Sequence, residues 1–550
     1  MYKITILIII LILIWSHIKN VRKIRENIIN SFGKEKGKAK SEDEMKTIDY
    51  YFNQIKSDKD IDEITWNDLD MNKIFNDMNT TLTDAGEEYL YALLHKVQYK
   101  EDSLLERDRV TRVFEKDEEI RVKLQMIFYQ LGKKYNHSVY EALDKCRALK
   151  LGSIFPHLLI CFAVITSFIM FFWNQWIGGI CLVISAGISV VSYYRTMRKI
   201  PDMTQWYLKY FAKLLRSTSK ISKLRCDELN SYFLELSHLR KHFKGTQIKS
   251  IFLSSGVGFV AEVVDLILDY IRMLTHLDII IIFDMSKTME KKFHEVERLF
   301  EIIGFLDSMI SVTAYKRQLP YYSNPSLTTD KTIGLKVTDL YHPLVEEAIT
   351  NSIDENKGIL ITGSNATGKS TFLKAIAINA ILSQTIFVST SRQYYGNYYK
   401  IYTSMALTDN IFNNESYFIV EIKALKRIIE GVNNDIPILC CIDEVLRGTN
   451  TLERIAASSE ILEELGKSNV LCVVATHDIE LAHILEAYYA NYHFKEKIVD
   501  EEITFNYKLY KGISTTRNAI KLLKMLGFSS DIVNKANHRL NSYQKTGSWD

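Results

Sequence analysis

The stretch GILITGSNATGKSTFLKA, residues 358–375, decides the fold. Gly358 to Thr362 is a short apolar run suited to a buried strand, Gly363 to Gly368 is a turn-forming loop, and a helical pattern starts at Lys369. Strand, loop and helix in that order are the context that a Gly-x-x-x-x-Gly-Lys-Ser match requires. Backbone N–H groups along Gly363, Ser364, Asn365, Ala366, Thr367 and Gly368 are expected to surround a β-phosphate, helped by the positive end of the following helix. Lys369 is placed to bridge β- and γ-phosphates, and Ser370, followed by Thr371, to ligate Mg²⁺. The pattern therefore implies ATP and Mg²⁺ as ligands of an α/β domain.

Two further strands support that domain. Ile438-Leu-Cys-Cys-Ile442 runs into Asp443-Glu444, which puts two carboxylates at the carboxyl edge of a parallel sheet, beside the loop. Asp443 is expected to hold the Mg²⁺ shell through water, and Glu444 to polarise an attacking water as general base. An isolated Asp-Glu pair would read as a solvated strand end, but this one follows Lys369 by 74 residues in the same domain. Val470 to Ala475 is a third apolar strand and ends in Thr476-His477. A lone histidine is more often structural, yet one at this edge is placed to sense a γ-phosphate.

With ITGSNATGKST (361–371), IYTSMALTDNIFNNESYFIVEI (401–422), CIDEVLRGTNTLE (441–453) and VVATHDIELAHI (473–484), the domain resembles the ATPase of the MutS mismatch repair proteins, a branch of the ABC-type ATPases. The resemblance implies that Asn365, Lys369, Ser370 and Thr371 belong to the phosphate loop. It makes Asp443 and Glu444 the metal and water-activating acids and His477 the switch histidine. Ser416 falls on the family's signature serine, which in such dimers faces the other subunit's ATP, so a homodimer with composite sites is implied. SYFIVE separates MutS relatives from ordinary transporters. More weakly, residues 80–114 and 302–325 resemble the opening and close of the family's helical core, and YHPLV (341–345) resembles the segment before the phosphate loop. There are departures. No counterpart of the mismatch-reading wedge is found, since Phe233-Leu-Glu235 matches by letters only. Ala366 and Thr367 replace Met-Gly, and Leu446, Glu453 and Arg454 replace Gly, Asp and Gly after the acids.

Outside this domain the chain reads as helical. It has 550 residues, 47% apolar and 25% charged, with six prolines and a net charge of +3, an ordinary globular balance that says little about partners. The seven cysteines have no metal-ligand spacing and read as small buried hydrophobes in a reducing compartment. Ser153 to Trp173 and Ile177 to Tyr194 are runs of 21 and 18 residues without a formal charge, separated by Asn174, Gln175 and Trp176. Each is about the length needed to cross a bilayer, and neither keeps the polar face of a soluble helix. Ile4 to Ile18 is a shorter apolar run followed by KNVRKIREN, which reads as an uncleaved anchor. Basic flanks at Lys19, Arg22 and Lys23, at Lys145 and Arg147, and at Arg195 and Arg198 put the soluble parts on the cytoplasmic side of a cell membrane.

The expected organisation is a membrane anchor (1–20), a linker and leading helical segment (21–79), a helical MutS-core-like domain (80–325) interrupted by a transmembrane hairpin (153–194), and a MutS/ABC-type P-loop ATPase domain (326–550). The function implied is a membrane-anchored, dimeric ATPase that couples hydrolysis to DNA binding. The alternative is a mechanochemical ATPase with a membrane or envelope protein as client. The segment Trp206 to Ser250, with ten Lys/Arg against three acids among aromatics, keeps DNA in view, although a basic stretch next to a membrane span also suits anionic headgroups.

Overall fold

The structure, a computed structural model, describes residues 2–134, 137–148, 152–246, 269–330, 332–363, 368–405, 417–432, 435–499, 502–514, 520, 523 and 527–547. The chain forms two compact units, each built from several segments: Met1–Lys56, Asn76–Ala92 and Arg109–Gln318 make one, and Ser57–Phe75, Leu93–Asp108 and Leu319–Asp550 the other.

The first unit is helical, and its spine is the helix Phe293–Gln318. Every residue from Ile302 to Lys316 on this helix is buried, so its polar side chains need internal partners. Asp307 accepts from the Leu82 and Thr83 backbone N–H groups and from Thr83 Oγ1 at 2.7 Å. Ser311 donates to the Met78 carbonyl, and Lys316 Nζ donates to Thr111 Oγ1 at 2.9 Å. The bonds of Asp307 and Ser311 tie the spine to the segment around TTLTDAGEE, residues 80–88, and that of Lys316 ties it to Thr111. The aromatics of the basic stretch also turn inward: Tyr207 and Tyr210 are buried and stack on Phe300. Phe233 is a core residue and Glu235 is held by Arg298 at 2.7 Å, so neither is offered as a wedge.

The helices Phe155–Trp173 and Gln175–Met197 are long and apolar enough to cross a membrane. They pair as a hairpin whose turn is set by Asn174, its Oδ1 accepting from the Ile177 N–H at 3.1 Å. Gly178 lets the backbones meet, because a Cβ there would lie 2.3 Å from the Phe171 nitrogen. The hairpin has apolar side chains outside and small polar ones inside. Phe162, Phe172, Trp173, Trp176 and Val183 are 67–92% exposed, while Ser167, Ser185 and Ser189 are buried. That is the reverse of a water-soluble hairpin and matches helices packed through small residues in lipid. The expected anchor, 1–20, lies in a helix that continues without a break from Tyr2 to Ser31.

The second unit contains a six-stranded and a four-stranded sheet. The strands are β1 (Ser326–Thr328), β2 (Leu335–Leu340), β3 (Asn351–Glu355), β4 (Gly358–Thr362), β5 (Gln393–Asn397), β6 (Lys400–Ser404), β7 (Ile438–Asp443), β8 (Val470–Thr476), β9 (Tyr489–Val499) and β10 (Glu502–Lys511). The larger sheet has the order β10-β9-β4-β8-β7-β6, parallel throughout except for β10, and the smaller has the order β1-β5-β2-β3. β4 and β8 are buried at every position, as expected of parallel strands covered on both faces. The edge strand β6 is capped by residues 57–75, which pack here although the sequence reading placed them in the linker. Asp68 accepts from Thr403 Oγ1 at 2.7 Å and from the Met405 N–H at 3.0 Å, and Asp62 pairs with Arg427 at 2.8 Å. An edge strand otherwise offers unpaired backbone groups, which this segment covers.

Candidate functional site

Register brings the three strand ends together. Thr362 of β4 lies opposite Thr476 of β8, and Asp443 of β7 lies opposite Ala475. Gly363, Asp443-Glu444 and His477 therefore leave the sheet at one edge. The helix Lys369–Thr385 starts there, preceded by Gly368 at φ +101°, a backbone that side-chain-bearing residues rarely adopt. A cavity of about 1010 Å³ opens at this edge, with Lys369, Ser370, Thr371, Asp443, Glu444 and His477 in its wall. Gly363 and Gly368 flank the loop, whose residues Ser364, Asn365, Ala366 and Thr367 lie outside the described residues, as does Ser416.

The polar groups form a chain. Lys369 Nζ donates to the Gly363 carbonyl at 2.7 Å and lies 3.3 Å from His477 Nε2. The same His477 nitrogen is 3.0 Å from Glu444 Oε1, and Glu444 Oε2 takes Arg447 Nε at 2.7 Å. One ring nitrogen cannot donate to Glu444 and accept from Lys369 at once, so the proton on His477 Nε2 decides which neighbour it serves. Burial pushes the Glu444 carboxyl up, but the His477 hydrogen bond and the charges of Arg447 and Lys369 outweigh it and hold the group below the usual carboxylate value. Glu444 itself has φ +66°, with its N–H on the Ala475 carbonyl at 2.9 Å. That turn aims its side chain along the sheet edge.

The SYFIVE motif acquires a physical role. Its Glu421 begins a buried contact between the helix Tyr417–Glu430 and the turn after the acids, accepting from the Arg447 N–H at 3.2 Å. Burial raises its carboxyl, opposed by the backbone N–H groups of Arg447, Leu446 and Gly448. Arg454, where the resemblance expects Gly, makes two hydrogen bonds of 2.8 and 2.6 Å to Asp478, the residue after His477.

Other cavity residues have no local signal in the sequence. Val345 and Ile349 on one side, and Phe505 and Tyr507 on the other, form an apolar wall next to the polar chain. Pairing of β9 and β10 slips between Phe505 and Leu509, and Asn351 stitches the slip by bonding both the Tyr507 carbonyl and the Leu509 N–H. Tyr507 is thereby turned over Gly368, whose Cβ would lie 3.2 Å from its ring. His342, in YHPLV, accepts from the Leu344 N–H through Nδ1 at 3.2 Å and is buried and neutral, its pKa pushed down to about 4 by burial and by Lys374. Arg447 was missed as a site residue for the same reason, since only the turn at Glu444 brings it to the carboxylate.

Residues 359–544 match the family model of MutS domain V. The chain is 26% identical over 372 residues to the DNA mismatch repair protein MutS of Methanosarcina acetivorans, covering 64% of this chain and 41% of that protein. It is 28% identical over 321 residues to human MutS protein homolog 4 (55% and 32%), and 27% identical over 348 residues to the MutS of Clostridium novyi (59% and 38%). The match thus spans about two fifths or less of the length of these relatives.

Proposed function

We propose that this chain, a MutS-family protein by its domain V, binds ATP with Mg²⁺ at the carboxyl edge of the six-stranded sheet and hydrolyses it. The observation that carries the reading is the convergence of Lys369, Asp443, Glu444 and His477 on one cavity. Lys369 takes the β- and γ-phosphates, and the loop Gly363 to Gly368, with Thr371, surrounds them. Ser370 and Asp443 present the hard oxygen donors that suit Mg²⁺. The metal, when bound, neutralises charge on the phosphates. Glu444, held ionised, orients a water and receives its proton as the phosphoryl group departs. His477 directs its Nε2 hydrogen bond to Glu444 or to the γ-phosphate, and so senses whether the phosphate is present. The apolar wall of Val345, Ile349, Phe505 and Tyr507 receives the base. Ser416 completes the site of a second subunit, so the working form is a homodimer.

The hairpin 153–194 lies in the membrane with the soluble units in the cytoplasm. In the first reading the client is DNA, in keeping with relatives named for mismatch repair. The outward-facing apolar surface of the hairpin, inside the helical unit, favours a second reading with a membrane or envelope protein as client. The experiment measures Mg-ATP affinity of wild type and Lys369→Ala, then ATPase rate with duplex DNA or with vesicles. Lys369→Ala is expected to bind about tenfold or more weakly, since it loses a charge-assisted contact; equal affinity contradicts the site. Salt-dependent duplex binding that responds to ATP supports the first client. A rate raised by vesicles and indifferent to duplex supports the second.

A further inference from the structure

A second cavity, of about 410 Å³, lies at the inner end of the hairpin and is walled in part by Tyr193, Tyr194, Lys209, Asp269, Arg272 and Asp278. Arg272 is 9% exposed. Its Nη1 donates to Asp269 Oδ1 at 2.7 Å, but Nε and Nη2 are enclosed and have no hydrogen-bond partner among the described residues. Asp278 is not bonded to it: its Oδ2 accepts from the Tyr193 hydroxyl at 2.6 Å and its Oδ1 from the Ile279 N–H at 2.8 Å. A buried guanidinium with one whole edge unmatched is costly, and a ligand that offers paired oxygen acceptors removes that cost.

Position and charge narrow the ligand. Nε and Nη2 form the edge of the fork that meets a phosphoryl group with two parallel N–H bonds. Lys209 is an exposed second cation, and Arg195, Arg198 and Lys199 are exposed at the end of the same hairpin helix. Tyr193 and Tyr194 lie where that helix leaves its apolar stretch, the level at which aromatics mark a bilayer interface and basic pockets between helices hold headgroups. Within the wall, Asp269 and Asp278 balance Lys209 and Arg272. The surplus positive charge that one phosphodiester would meet is therefore that of Arg195, Arg198 and Lys199 beside the wall.

We propose that this cavity binds the phosphodiester headgroup of a membrane glycerophospholipid, held by Nε and Nη2 of Arg272 with Lys209 assisting. The proposal rests on the reading of the hairpin as membrane-inserted. The test uses the full chain in detergent, as wild type, Arg272→Gln and Lys209→Gln, titrated with phosphatidylglycerol or phosphatidylethanolamine and read by native mass spectrometry. Wild type should keep about one phospholipid per chain after washing. Arg272→Gln should bind it about tenfold more weakly, the scale of a lost charged hydrogen bond, and Lys209→Gln should lose a smaller factor. Because Lys209 is exposed, that variant decides the matter if Arg272→Gln fails to fold. Equal retention in wild type and Lys209→Gln overturns the proposal, and so does a folded Arg272→Gln that binds fully. So does saturation by inorganic phosphate without lipid. A chain that stays monodisperse without detergent and does not float with vesicles overturns the membrane reading beneath it.

Discussion

Leu446 adopts φ +57°, a left-handed backbone that costs an L side chain about 1 kcal/mol and glycine nearly nothing. The MutS resemblance places glycine at this position, and the structure supplies the reason: the turn carries the chain from Glu444 to Arg447, which returns to the same carboxylate. The leucine side chain offsets the strain by being buried in the cluster around Ile442 and Leu462. Two variants separate these effects. Leu446→Ala removes the side chain and keeps the strain, whereas Leu446→Gly removes both. Denaturant unfolding should place the glycine variant about 1 kcal/mol above the alanine variant, with both below wild type. An alanine variant as stable as glycine would contradict the strain. Lys369, Asp443, Glu444 and His477, each at a fixed offset from an apolar strand in the sequence, are brought to one cavity wall. Arg447 and Tyr507 were not legible in the sequence, because a backbone turn and a register slip aim them, and neither has a local composition signal.

Among the elements, the strands 358–362, 438–442 and 470–475 could be read directly, since buried parallel strands are near-continuous apolar runs. The role of residues 57–75 could not, because covering β6 is a contact 335 residues away in sequence, between Asp68 and Thr403. The hairpin was legible from run length, and its inside-out burial adds an argument that composition lacks. The basic flanks give a prediction for the proposed membrane hairpin: a reporter inserted after Trp173, at the turn, should be found outside the cytoplasm, and one after Asp550 inside. Both on one side would contradict a spanning hairpin. The aromatic and basic letters of 206–250 kept a DNA-contacting face in view beside anionic headgroups, but Tyr207, Tyr210 and Phe211 are buried in the core.

Across the whole molecule, the two units should answer pH with opposite signs. In the helical unit, burial raises Asp84 to about 7 and Asp307 to about 6, and pushes Glu88 up as well. A folded-state carboxyl pKa above its unfolded value means that the folded unit takes up protons first as pH falls, so stability rises between about pH 7 and 4, by up to about 1.4 kcal/mol per group per pH unit. In the sheet unit His342 is depressed to about 4, so its contribution is complete above its unfolded value and is lost as pH falls below about 6.5. Hydrogen exchange of each unit at pH 7.5 and 5.5 should show the helical one gaining protection and the sheet unit losing it; parallel changes would contradict the assignment. The central claim, that the carboxyl edge of the sheet hydrolyses ATP through Glu444, is tested most directly by single-turnover hydrolysis in Glu444→Gln. Mg-ATP affinity should stay close to wild type while hydrolysis slows by about 10² or more, the loss of a general base. Wild-type turnover in that variant would contradict it.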